Sequence, residues 1–196
     1  RDDFMSIPKR KETRPLIGII GEIFVRLHRF SNEGLVRKIE SMGGEVWLAP
    51  IEEWLYYVDT LSFRRALIKK DRSAMINILL KRFFQERIQH RLERPFKGYL
   101  DTLREPKTAE ILKKASPYVP DTFEGETVLS IGKAIDLIER GASGIVNAMP
   151  FGCMPGTIVT ALMKAISKDY GVPCISIPYD GTESPTIELQ IEAFME

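Results

Sequence analysis

Hydrophobic positions along this chain follow two rhythms. A short continuous apolar run occurs at 16–20, and short, mainly apolar stretches occur at 45–49, 143–147 and 173–177. Runs of this length, bounded by Gly and Pro, read as strands buried on both faces. Between them the apolar residues recur at helical spacing. Leu35, Val36 and Ile39 follow a Ser31-Asn32 cap signal and stop at Gly43-Gly44. Val128, Ile131, Ala134, Ile135 and Ile138 form one helical face closed by Gly141. A third helix is predicted from Pro155 to about Tyr170, with Gly171 past its end, and a last one over 186–195. Pro in the first helical turn and Gly beyond the last match the asymmetry of helix ends.

Strands alternating with helices predict an α/β protein. The expected architecture is a Rossmann-like three-layer fold with a parallel four-stranded sheet in the order 2-1-3-4 and a helical insertion. That order has a switch point between the first and third strands. It brings the loops after Gly21 and after Asn147 together at the carboxyl edge of the sheet, where open α/β folds place their chemistry.

The rhythm breaks at about 51–120, the predicted helical insertion. Trp54, Tyr56 and Tyr57 open it, and one long mixed segment from Leu61 to Leu92 follows. There Leu67, Ile68, Ala74, Met75, Ile78, Leu79, Phe83 and Ile88 recur every three or four residues, accompanied by Lys and Arg. This pattern predicts a core-facing helix with a solvated basic face, or a basic helix that meets phosphate or an acidic partner. A shorter helix is predicted around Thr108–Ala115. Residues 1–15 read as a charged linker or arm, so 16–196 is one domain with its insertion. The arm and the Arg1 start predict a piece cut from something longer.

A formal net charge of +1 gives no reason to expect nucleic acid or an anionic membrane as partner. No apolar run approaches the roughly 18–20 residues of a membrane span. Two cysteines, Cys153 and Cys174, form no disulfide framework, and the reading is a reducing, cytoplasmic compartment.

Cys153 is the sharpest chemical candidate, because it precedes a helix whose first N–H groups and dipole favour an anionic ligand or thiolate. Thiolates are nucleophiles and soft-metal ligands. A buried free thiol is the plain alternative, and His28, on the neighbouring loop, is the candidate partner for a Cys–His pair. Glu22, Arg26 and Asn147 are candidates to line the crevice; the plain reading makes Glu22 a turn cap and Arg26 a solvated side chain. Gly18-x-x-Gly21 is too short for a dinucleotide fingerprint, and no P-loop lysine motif occurs.

Four stretches carry a family resemblance: Gly-Ile-Ile-Gly-Glu-Ile-Phe-Val-Arg at 18–26, Phe-Ser-Asn-Glu-Gly-Leu at 30–35, Gly-Glu-Val-Trp-Leu-Ala-Pro-Ile-Glu-Glu-Trp at 44–54, and Gly-Ile-Val-Asn-Ala-Met-Pro-Phe-Gly-Cys-Met-Pro-Gly at 144–156. The chain resembles the C-terminal region of the large acyl-CoA dehydratase activase-related proteins, which are similar to 2-hydroxyacyl-CoA (2-hydroxyglutaryl-CoA) dehydratase subunits. The resemblance implies an oxygen-sensitive, anaerobic system in which an ATP-driven activator feeds single electrons to a dehydratase. It implies that Cys153 is one ligand of a [4Fe–4S] cluster whose other cysteines lie in upstream domains. A chain with one such cysteine is expected to lack the cluster and to be inactive alone. The implied partners are those upstream domains and an acyl-CoA or redox protein. The alternative function is a non-catalytic α/β interaction or scaffold domain of a larger protein.

Overall fold

The computed structural model describes residues 2–8, 12–100, 105–182 and 184–196. Parts of the predicted arm (1, 9–11) and of the insertion (101–104) therefore lie outside the described residues. In chain order the elements are α1 (Asp2–Met5), β1 (Leu16–Gly21), α2 (Ile23–Leu27), α3 (Leu35–Ser41), β2 (Glu45–Leu48), α4 (Glu52–Ile68) and α5 (Arg72–Glu93). A 3-10 turn at Arg94–Phe96 follows, then α6 (Thr108–Ala115), α7 (Glu126–Glu139), β3 (Gly144–Pro150), α8 (Met154–Tyr170), β4 (Cys174–Tyr179) and α9 (Pro185–Met195).

All strand pairs are parallel and the sheet order is β2-β1-β3-β4, as the alternation predicts. The register places Ile19 beside Val146 and Val146 beside Ile175. One face of the sheet buries Ile17, Ile19, Val146, Ala148, Ile177 and Tyr179 against α3 and α9. The other face meets α7 and α8: a Cβ on Gly18 would press on Leu137, and one on Gly156 would collide with Met149. Helices on both sides of a parallel sheet define a doubly wound, Rossmann-like three-layer class.

Backbone contacts divide the chain into two compact units. One comprises 1–12 and 51–108, the other 13–50 and 109–196. The predicted insertion thus ends near 108, and α6 belongs to the sheet unit. Its physical reason is a close helix crossing, because Gly132 of α7 lets the Ile111 backbone of α6 approach so nearly that a Cβ would collide with the Ile111 carbonyl.

The insertion unit departs further from the expectation. The predicted single segment is two helices, α4 and α5, broken where Lys70 takes φ +56° and Asp71 caps α5 by accepting from Ala74 N at 3.0 Å. No residue of α5 is buried. Polar contacts join α5 to α4: Tyr56 Oη donates to Gln89 Oε1, Arg82 Nη2 to Thr60 Oγ1 at 2.6 Å, and Lys81 Nζ to Asp59 Oδ1 at 2.6 Å. Of the apolar positions read as core, Ala74, Met75 and Ile78 are half-buried, whereas Leu67, Ile68, Leu79, Phe83 and Ile88 are exposed, so α5 is not the core-facing helix expected.

Among the described residues no helix is long and apolar enough to cross a membrane.

Candidate functional site

The carboxyl edge of the sheet is built by four strand ends. β3 runs three residues further than predicted, to Pro150, which shortens the cysteine loop to Phe151–Cys153. Gly152 makes the turn at φ +74°. Cys153 is the N-cap residue of α8, and its thiol is free and half-buried. Its N–H donates to Pro150 O at 3.1 Å, and its carbonyl accepts from Thr157 N and Thr157 Oγ1, both at 2.9 Å.

The β1 loop meets this turn directly. Glu22 N donates to Ala148 O at 2.9 Å, and Phe151 N to Tyr179 O at 2.8 Å, which ties the ends of β1, β3 and β4 together. Gly21 is required here: at φ +115° it lies so close to β3 that a Cβ would collide with the Ala148 carbonyl oxygen.

Glu22 acts as a cap. Its carboxylate accepts from Phe24 N at 3.1 Å and Val25 N at 2.7 Å, at the start of the five-residue α2. A second carboxylate joins it, because Glu126 accepts from Ile23 N at 3.2 Å. Burial pushes the Glu126 carboxyl above its usual range and the nearby Glu22 charge pushes the same way, against the Ile23 N–H and Arg26. Sequence reasoning passed over Glu126; its signal was an acidic residue in the first turn of α7, directly after Gly125.

Arg26 is 3% exposed and donates through Nη2 to Pro50 O at 3.3 Å, so it is not a solvated side chain. Asn147 is fully buried, with Nδ2 donating to Ser176 Oγ at 3.1 Å and Gly156 O at 3.4 Å. Thr160 Oγ1 completes this polar staple, donating to Gly156 O at 2.9 Å and accepting from Ser176 Oγ at 2.8 Å. Asn147 therefore fastens β3 to β4 and to the start of α8.

A cleft of about 1150 Å³ opens on the α3–α9 side of the same edge. Its walls include His28, Arg29, Lys38, Tyr179, Thr182 and Ser184, but none of Glu22, Arg26, Asn147 or Cys153. The Tyr179 hydroxyl is buried without a hydrogen-bond partner, and burial together with the Glu33 charge raises its pKa. Lys38 is held by Glu33 at 2.9 Å. His28 stacks on Phe24 at 4.7 Å and its Nδ1 meets Ser31 Oγ at 2.8 Å.

Cys174 does not accompany Cys153. It pairs with Ile145 at the start of β4, the opposite edge of the sheet, where burial pushes its thiol up to about 11. Among the described residues no group of three or more His, Cys, Asp or Glu is arranged to hold a metal ion.

Fold and edge together define the class: a doubly wound parallel α/β domain with a half-buried thiol at a helix start on its carboxyl rim. No family model, curated protein or solved structure matches the chain.

Proposed function

We propose that this chain is the cysteine-bearing module of a redox protein of the 2-hydroxyacyl-CoA dehydratase and activase-related kind, working in the cytoplasm of an anaerobic metabolism. The observation that carries the reading is the position of Cys153. Its loop and the β1 loop, the two most distinctive motifs of the resemblance, meet at one edge through the Glu22–Ala148 hydrogen bond. A thiol that is half-exposed there can be shared with another polypeptide, whereas a core thiol cannot.

The donor set of this chain does not fit a whole [4Fe–4S] cluster. Such a cluster takes about four thiolates, and Cys174 is at the far edge of the sheet. The chain supplies one ligand, and its partners, upstream domains of a parent protein, supply the rest. The test is anaerobic reconstitution with iron and sulfide of the polypeptide that carries this domain, with and without Cys153→Ser. Iron and sulfide content should fall with the substitution; equal content in both proteins refutes the ligand assignment.

A further inference from the structure

Among the described residues, the outward face of α5 is an apolar surface that its own unit leaves uncovered. Ile76, Leu80, Phe84 and Ile88 form a row at four-residue spacing, exposed by 57%, 52%, 61% and 61%. Leu79, Phe83 and Leu92 flank that row and are more than half exposed as well. The hairpin cannot cover them, because α5 presents Arg82, Gln85 and Gln89 toward α4 and satisfies two of those with hydrogen bonds. At on the order of 100 Å² per side chain the patch amounts to roughly 700 Å², above the largest patch usual on a monomer. It is close to the roughly 800 Å² that each partner contributes to a stable interface.

We infer that this face is the contact between two copies of the chain, with the two α5 helices crossing antiparallel about a two-fold axis at position 82. The central row is symmetric in character about that position. Leu80 of one copy meets Phe84 of the other, and Ile76 meets Ile88. The polar positions match too: Asn77 meets Arg87, and Ser73 meets Arg91, all four exposed. A two-fold contact demands this self-complementarity, and rows at four-residue spacing interdigitate when helices cross at about −50°.

Charge decides the direction. In a parallel pair Arg87 and Arg91 would stand beside their own counterparts. In the antiparallel pair the like residues are about 15 and 27 Å apart along the axis, beyond the screening length of about 8 Å. A helix lying on a membrane keeps its cations on the polar face, whereas Arg87 and Arg91 interrupt the apolar one, with Arg87 stacked 5.5 Å over Phe83. The inference is independent of Cys153.

Sedimentation equilibrium of the whole chain from about 1 to 100 μM should give a dimer with a micromolar dissociation constant. Phe84→Glu should weaken it about a hundredfold or more, since the substitution counts in both copies, with the thermal melt of the monomer unchanged. In a Cys153→Ser/Cys174→Ser background, oxidation should cross-link Ile76→Cys chains to Ile88→Cys chains in a mixture and neither variant to itself. A monomer at every concentration overturns the proposal. So does a dimer indifferent to Phe84→Glu, or cross-linking of either cysteine variant alone. A monomer that binds phosphatidylserine vesicles through this face would assign it to a membrane and equally refute the dimer.

Discussion

Removing Asp136 should strongly destabilise the sheet unit. Its carboxylate is 2% exposed and faces three cations: Lys114 Nζ at 2.7 Å, Arg140 Nη1 at 3.2 Å and Lys133 Nζ at 3.5 Å. Lys133 is fully buried in α7, Lys114 comes from α6, and Arg140 lies 4.4 Å over the Trp47 ring of β2. One anion thus holds a helix crossing and a sheet edge. Deleting one partner of a buried ion group costs about 3–5 kcal/mol, because the remaining charge stays desolvated. Lys114 and Arg140 can turn to water, being about a quarter exposed; Lys133 cannot. For Asp136→Ala we therefore expect a loss of about 3–5 kcal/mol and, at about 2–4 °C per kcal/mol for a chain of this size, a melting point lower by about 6–20 °C.

The pH dependence has a definite sign. Burial alone would raise the Asp136 pKa, but the Lys114 hydrogen bond and the charges of Lys133, Lys114 and Arg140 hold it below the ordinary 3.8. A depressed folded pKa means stability that is present above 3.8 and lost as pH falls through the folded value. The gap in unfolding free energy between wild type and Asp136→Asn, about 2–3 kcal/mol for a lost charged hydrogen bond, should be flat from pH 7 to 5 and close below 3.8. Urea titrations across that range, followed by circular dichroism, measure it. A loss under about 1 kcal/mol for Asp136→Ala, or a gap that widens in acid, would refute the reasoning.

Two further outcomes follow from the edge geometry. Gly21→Ala should cost more than about 3 kcal/mol, from a left-handed φ and a collision with the Ala148 carbonyl, whereas Gly152→Ala, with φ +74° but open space around it, should cost about 1 kcal/mol; equal melts for the two would dismiss the close approach of β1 to β3. With a disulfide reagent at pH 8, the native chain should show one fast thiol and lose it in Cys153→Ser. Cys174, with a pKa of about 11, is a thiolate in only about one molecule in a thousand at that pH, so a fast Cys174 would contradict its burial.

The parts of the fold that were legible are those where sequence pattern and burial obey one rule. β1 is buried at five of its six positions, so its continuous apolar run reads correctly as a strand covered on both sides. α7 shows where that rule stops. Its apolar positions were read as one face, yet every residue from Thr127 to Leu137 is buried, including Ser130, Lys133 and Asp136. The polar side is closed because α6 packs on Gly132, a contact that no local pattern announces. α2 was missed for a related reason: five residues cannot hold a helix by propensity, and it is capped by Glu22 beside it and Glu126 about a hundred positions away. The candidate site divides likewise. The placement of Cys153 between a strand and a helix start was legible because strand, turn and helix start are all local. Asn147 and Arg26 attracted notice as polar residues near the rim, and their burial depends on partners elsewhere in the chain.

The same limit operated in reverse on α5. Helical spacing of Leu79, Phe83 and Ile88 marks an apolar face, and by itself it says only that something covers that face. Which body covers it follows from the opposite side of the helix. Arg82 and Gln89 are already engaged by Thr60 and Tyr56, so α4 occupies the polar side and cannot also serve the apolar one. The row Ile76–Ile88 is thus left without a cover among the described residues of its own unit. Its symmetry about position 82 then selects a second copy over an unrelated partner, because an unrelated partner imposes no symmetry on the residues it meets.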